Sequence, residues 1–329
     1  MSGQQRSTEF GLIERYFAPL SKVEPGGYDL TDDAASLVPA EGCETIVTKD
    51  MMASGVHFFA DDPPESLGRK LLRVNLSDLA AMGAVPRAYL LGMALPDETS
   101  SNWLEAFAGG LAQDQEHFSI TLIGGDTILS TGGLTLSLTA FGEVRQGQAL
   151  RRSGARPGDD LYVSGTLGDA ALGLLAIEGR LEMIARSDRD YFVSRYRLPE
   201  PRSQLGMNLI GLANAAIDIS DGLAADLAHM CDASRAGACV ETKLLPLSPA
   251  ASAALAGDGR LLTKILSGGD DYELLISACP GVGEKLVQAA RASDTALARV
   301  GRITEEPGVR LIGSDGAEIL LANAGYTHF

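Results

Sequence analysis

Apolar residues along the chain alternate between two spacings. In "PESLGRKLLRVNLSDLAAMGA", residues 64–84, Leu67, Leu71, Leu72, Leu76, Leu79 and Ala80 recur at steps of three and four, which predicts a helix. Gly83 and the later Pro86 supply its stop. "SSNWLEAFAGGLAQDQ", 100–115, reads as a second helix with a serine at hand for its N-cap. Between and around these lie short β-rich runs: "TIVTKD" at 45–50, "AYLLGMAL" at 88–95, "SITLIGGDT" and "GLTLSLTAFGEV". "RQGQALRRSGARPGDDLYVSG", 145–165, is rich in glycine and turn signals, with "RPGDD" as a sharp turn before a new strand. The alternation then resumes. Helices are expected at 167–178, 203–213, 222–234, 249–256 and 281–293, and strands at 215–219, 237–242, 272–278, 297–303 and 308–313. The pattern predicts an α/β (α+β layered) architecture of two domains, 1–147 and 148–329, with helices covering sheets. A faint echo links "NLSDLAAM" and "DISDGLAADL", each followed by Gly-Gly-Asp, after 48 residues from Asp78 to Asp126 and 49 from Asp221 to Asp270.

Composition narrows the function more than the fold. The 329 residues carry a formal charge of −16, so no basic surplus exists to displace counterions from nucleic acid. Phosphate-bearing small molecules stay admissible, because divalent cations mediate between carboxylates and phosphates. Cys43, Cys231, Cys239 and Cys279 show neither C-x-x-C spacing nor a disulfide framework, which suits free thiols in a reducing compartment. No apolar run approaches the roughly 20 residues that span a bilayer. The N-terminal "MSGQQRSTEFGLIERYF" has no leader-like apolar core and reads as a short arm entering an amphipathic helix. A soluble cytoplasmic protein without nucleic-acid or membrane partners is expected.

Acidic residues stand at the ends of apolar strands or on striped helices: Asp32-Asp33, Asp50, Asp78, Asp126, Asp218, Asp221 and Asp270. Any one of them serves equally well as a turn residue or helix cap. Taken together they suggest more. In open α/β sheets strand ends converge on one rim, and two unit charges about 4 Å apart repel by about 4 kcal/mol at an effective dielectric of 20. Several carboxylates on one rim therefore call for cations, and Mg²⁺ with substrate phosphates fits best. Gly124-Gly125 before Asp126 would let the chain turn close to a phosphate. There is no H-x-x-x-H pair, no G-x-S-x-G and no P-loop motif, which leaves zinc, nucleophile-elbow and P-loop chemistry without support.

"EFGLIERYF", "DDAA", "KDMMASGVHF", "VNLSDLAAMGAVP", "LIGGDT", "RRSGARPGD", "IDISDGLAADL", "SGGDDYEL" and "GYTHF", in this order, resemble the thiamine-monophosphate kinase family of the aminoimidazole ribonucleotide synthase-like superfamily. The resemblance implies ATP-dependent phosphorylation of thiamine monophosphate, the last step of thiamine diphosphate biosynthesis. It implies a homodimer whose N-terminal domain binds ATP and Mg²⁺ and contributes its sheet to the dimer interface. The C-terminal domain would be an α/β sandwich that completes the active site. Carried onto matching positions, Asp33, Thr48, Lys49, Asp50, Asp78, Asp126, Asp218 and Asp221 would ligate several Mg²⁺ ions. Gly125, Asp126, Arg152 and Ser220 would contact ATP, and His57, Asp270 and Tyr326 the thiamine phosphate. No general base is expected, because a phosphate monoester acceptor is already largely dianionic at neutral pH.

Three positions depart from the family's pattern. Lys49 stands where many members carry Thr, so a ligand there would be its backbone carbonyl. Asp270 replaces a common Glu, and "TDDAAS" lacks the glycine that usually precedes the acid pair. His57 beside Phe58-Phe59 reads equally well as a packed histidine, Tyr326 as a C-terminal anchor, and Arg152 as an ion-pair partner of Asp159 or Asp160. Two rivals remain. One is another enzyme of the superfamily, an ATP-dependent cyclase or a selenophosphate synthetase; the latter would offer a nucleophilic cysteine or selenocysteine in its N-terminal loop, and residues 1–33 contain no cysteine. A non-catalytic sensor on the same fold would bind ATP and Mg²⁺ without forming ADP.

Overall fold

A computed structural model describes residues 9–326. The expected N-terminal arm and the last three residues of "GYTHF" lie outside that range. The chain divides into two compact units, Met1–Leu76 with Pro86–Arg145, and Ser77–Val85 with Gln146–Phe329. Among the described residues no helix is long and apolar enough to cross a membrane.

The first unit is built on a four-stranded sheet of order β1-β4-β2-β3, with β1 Cys43–Ala53, β2 Val85–Pro96, β3 Thr121–Ser130 and β4 Thr135–Arg145. β1 and β4 run antiparallel with Asp50 opposite Leu138, whereas β2 and β3 run parallel with Gly92 opposite Asp126. Burial alternates residue by residue along β4 from Thr135 to Gly142, as expected for a strand with one covered face. The two long helices here are α1 Pro64–Ala81, whose residues from Ser77 onward belong to the second unit, and α2 Ser101–Phe118; shorter helical turns lie at Glu9–Leu12, Ile13–Phe17, Ala18–Ser21 and Pro25–Leu30. The leucines predicted to form the α1 stripe, Leu67, Leu71, Leu72, Leu76 and Leu79, are all buried. Gly83 ends the helix at φ +70°, with its N–H on the Ala80 carbonyl, a conformation that favours glycine. Ser100 caps α2 by accepting from the Trp103 N–H, as its place in the sequence suggests.

The second unit holds a six-stranded sheet of order β10-β7-β9-β5-β8-β6. Its strands are β5 Asp160–Ser164, β6 Ala215–Ile219, β7 Gly237–Glu241, β8 Glu273–Ala278, β9 Leu297–Thr304 and β10 Gly308–Ile312. Helices α3 Asp169–Ile177, α4 Arg186–Arg197, α5 Ser203–Asn208, α6 Leu223–Ser234, α7 Pro249–Gly257, α8 Leu261–Ser267 and α9 Gly283–Ala292 belong to this unit. One apolar cluster gathers Leu161, Leu172, Phe192, Ile217, Leu227, Val240 and Ile265. A second gathers Ala80, Leu150, Leu205, Leu209, Ile276 and Leu286.

Two helices escape the sequence pattern. α4 is mostly polar and buries only Phe192 and Tyr196, while α8 occupies a stretch that reads as a loop. The rim argument also needs correcting. Only the outer β10–β7 pair of the second sheet is parallel, and the other four pairings are antiparallel. Distant acids therefore do not meet at a common row of C-terminal strand ends. Within this unit Asp221 and Asp270 come together where the end of β6 lies beside the start of β8, with Ile219 opposite Glu273. The Ser-Asp echo does not extend to the elements either, since Asp78 lies within α1 whereas Asp221 precedes α6.

Candidate functional site

In the first unit a cavity of about 800 Å³ is lined by Asp32, Asp33, Lys49, Gly125, Asp126 and the apolar side chains of β2 and β3. Asp33 and Asp126 are both exposed. Gly124 and Gly125 do not form the expected turn. They lie inside β3 at a register shift that leaves Ile123 unpaired, a bulge in the β2–β3 ladder. A Cβ at Gly125 would collide with the Leu91 carbonyl oxygen, so glycine is required by close strand approach. The bulge turns the following carboxylate, Asp126, out beside the cavity. Lys49 donates from Nζ to Ser137 Oγ across the β1–β4 pair, while Thr48 and Asp50 occupy alternate, half-buried positions. The Asp50 N–H donates to Asn75 Oδ1. His57 accepts at Nδ1 from the Ala53 N–H, so the neutral ring carries its proton on Nε2.

In the second unit backbone bonds bring four predicted residues together. The Asp270 N–H donates to the Ser220 carbonyl at 2.9 Å, the Tyr272 N–H to Ile219 at 2.8 Å, and the Tyr326 N–H to Asp221 at 3.1 Å. Ser220, Asp221, Asp270 and Tyr326 thus share one loop cluster at the β6–β8 end. Asp218 is buried and accepts from Ser77 Oγ at 2.9 Å, and Asp78 is half-buried on α1 one residue further along. Arg152 is exposed, and its carbonyl accepts from Ser234 Oγ. The ion pair considered for it goes elsewhere. Asp160 pairs with Arg299, and Asp159 accepts from Asn214, Ser277 and the Arg156 N–H.

Sequence reasoning missed the buried acids behind this cluster. One oxygen of Asp226 accepts from the N–H groups of Ser220, Asp221 and Gly222 at 3.0–3.1 Å. Burial, then the nearby Asp221, raises its pKa to about 7. Asp271 accepts from Gly168 and Ala170 N–H at the start of α3, and burial raises its pKa to about 8. Glu273, fully buried, is held by Arg202, Arg195 and Ser164. Asp271 and Glu273 are buried while Asp270 and Tyr272, before and between them, are half-buried, an alternation that the positive φ angles of Asp270 and Tyr272 produce and that no strand period in the sequence announces.

Among the described residues no three or more His, Cys, Asp or Glu side chains are grouped tightly enough to hold a metal ion by themselves. The donors offered are oxygens, several of them exposed, a set that suits a cation arriving with phosphates and water rather than an all-protein cage.

Residues 31–144 match the model of the AIR synthase related protein, N-terminal domain, and residues 156–314 that of its C-terminal domain. A thiamine-monophosphate kinase of Caulobacter vibrioides is 41% identical over 98% of this chain and 91% of its own length. The crystal structure of thiamine-monophosphate kinase from Stenotrophomonas maltophilia is 43% identical with a TM-score of 0.80, covering 88% of this chain and 91% of that one. The structure of AaThiL complexed with AMPPCP and TMP is 29% identical with a TM-score of 0.77, covering 98% and 97%.

Proposed function

Given that this chain belongs to the thiamine-monophosphate kinase family, we propose that it transfers the γ-phosphoryl group of ATP directly to thiamine monophosphate, yielding ADP and thiamine diphosphate. The observation that carries this reading is the exposed Asp126, turned out by a glycine-dependent bulge beside a cavity that Asp32 and Asp33 also line. A relative at TM-score 0.77 bound to an ATP analogue and TMP supports the substrate pair.

Each unit contributes its own groups. In the first, Asp33, Thr48, the Lys49 carbonyl, Asp50 and Asp126 would hold Mg²⁺, Gly125 and Asp126 would border the nucleotide phosphates, and His57 would face the acceptor. In the second, Asp78, Asp218 and Asp221 would hold Mg²⁺, Arg152 and Ser220 would contact ATP, and Asp270 and Tyr326 would hold the thiamine moiety. Mg²⁺, when bound, would neutralise phosphate charge and so lessen repulsion between donor and acceptor.

The acceptor phosphate needs no deprotonation, since its second pKa lies near 6. The protein's task is then to align two anions in line and to exclude water. Asp270 would oppose the cationic ring of thiamine, and Arg152 would neutralise charge on the nucleotide side. No phosphoenzyme forms. The enzyme would work as a cytoplasmic homodimer through the first unit, whose two edge strands expose Val47 and Met51 on β1 and Ile128 and Leu129 on β3.

Phosphorus NMR of the purified protein with ATP, Mg²⁺ and thiamine monophosphate tests the reading. A diphosphate doublet from the thiamine product, growing in step with ADP, is expected. ATP that stays intact, or breaks down without that doublet, would refute it.

A further inference from the structure

The loop that presents Asp270 is held in an unusual backbone. Asp270 has φ +70° and Tyr272 φ +51°, both in the left-handed region that residues other than glycine seldom occupy. Asparagine and aspartate tolerate this region better than longer side chains, so the backbone itself favours Asp over Glu at position 270. A carboxylate one methylene shorter gains less reach and needs firmer aim.

Five hydrogen bonds supply that aim. The Asp270 and Tyr272 N–H groups dock on the carbonyls of Ser220 and Ile219. Between them Asp271 is only 2% exposed and turns the opposite way, into the start of α3, where it accepts from Gly168 at 2.6 Å and Ala170 at 3.2 Å. The half-buried Tyr272 hydroxyl then reaches back over one residue and donates to Asp270 Oδ1 at 3.3 Å. Asp271 thus pins the middle of the tripeptide inward, and Tyr272 steers the carboxylate of Asp270 on the opposite side.

We propose that Tyr272 and Asp271 are positioning residues that fix the Asp270 carboxylate for a cationic ring of the acceptor substrate, and so set specificity for it. This rests on the kinase reading above. As positioning residues both would act through Asp270, so the effect should fall on acceptor binding and leave the chemical step alone.

The test is a double-mutant cycle of Tyr272→Phe and Asp270→Ala, with KM for each substrate, kcat and the melting temperature measured on the full chain. Tyr272→Phe removes only the hydroxyl. It should raise KM for thiamine monophosphate about fivefold, in line with the net worth of one ordinary hydrogen bond, with kcat and KM for ATP within about twofold. The same substitution in the Asp270→Ala background should add nothing. Asp271→Asn keeps an acceptor oxygen for α3 and should retain more acceptor affinity than Asp271→Ala. Wild-type KM in Tyr272→Phe, or an equal rise with and without Asp270, would overturn the proposal. So would equal losses in kcat and both KM values, which mark a merely structural role. If the wild-type protein itself fails to phosphorylate thiamine monophosphate, the kinase reading falls and this inference with it. Normal wild-type turnover beside an unaltered Tyr272→Phe removes this inference alone.

Discussion

Asp126 owes its exposure to what precedes it: Gly125 leaves room for the Leu91 carbonyl, and the bulge at Ile123 shifts the register so that the carboxylate projects from the strand. Because the side chain stands in solvent on a rigid strand, replacing it should alter chemistry and spare the fold. Asp126→Asn is expected to lower kcat by about a hundredfold or more with the melting temperature unchanged, read by coupled ADP release and calorimetry. Wild-type turnover at saturating Mg²⁺ would remove Asp126 from the phosphoryl-transfer machinery. Asp271 makes the opposite prediction. Burial, opposed by its two backbone donors and reinforced by Asp169 and Glu273, raises its pKa from an ordinary value near 3.8 to about 8. The folded state therefore holds a proton that the unfolded chain has released. Stability should be greatest below about pH 4 as far as this group is concerned, and should decline toward about pH 8, by at most about 1.4 kcal/mol per pH unit. Melting temperatures taken between pH 5 and pH 9 should fall for the wild type and fall less for Asp271→Asn. Equal slopes would exclude Asp271 as the source.

At the scale of elements, the helix pair of the first unit shows how small residues set geometry. Gly110 of α2 lies against the Glu65 carbonyl of α1, and Gly68 of α1 lies 2.5 Å, measured from an added Cβ, from the Phe107 carbonyl. Arg73 and Arg69 of α1 then converge on the buried Asp114 of α2. Gly110→Ala would gain intrinsic helix propensity yet drive a methyl into backbone, and overpacking should prevail by about 1–3 kcal/mol. A melting temperature equal to or above that of the wild type would show that the helices slide apart freely. The same helices were the most legible part of the sequence, because Leu67, Leu71, Leu72, Leu76 and Leu79 mark one face. α4 was illegible for the converse reason: Phe192 and Tyr196 alone mark its buried side among arginines and aspartates. In the site, Asp218, Asp221 and Asp270 stood out as acids beside apolar runs. Asp226 did not, since an aspartate in the first turn of a helix looks like any favourable charge near a helix N-terminus. Nor did the sequence reveal which of the adjacent Asp270 and Asp271 faces inward, a matter settled by positive φ angles that no propensity encodes.

Over the whole molecule, the formal charge of −16 makes any apolar strip on the surface conspicuous. Val47 and Met51 on β1 are 57% and 55% exposed, and Ile128 and Leu129 on β3 are 56% and 60% exposed, each on an outer strand of the first sheet. Such edges invite pairing with another chain unless something covers them. If a second copy does, sedimentation should give twice the monomer mass, and Met51→Asp with Ile128→Asp should yield monomers that remain folded. A wild-type monomer at micromolar concentration would rule out the dimer. The division of the chain carries a different consequence. Residues 77–85 belong to the second unit although they lie between two stretches of the first. Ala80 packs with Leu150, Leu205 and Leu209, and a Cβ at Gly206 would strike the Ala80 carbonyl. As the polypeptide leaves the ribosome, this short excursion emerges well before the residues that will enclose it. The second unit therefore closes its core late in synthesis around a piece delivered early. A gene cut once, after Arg145, would separate Ala80 from the leucines it is meant to cover, so neither half would inherit an intact set of core residues.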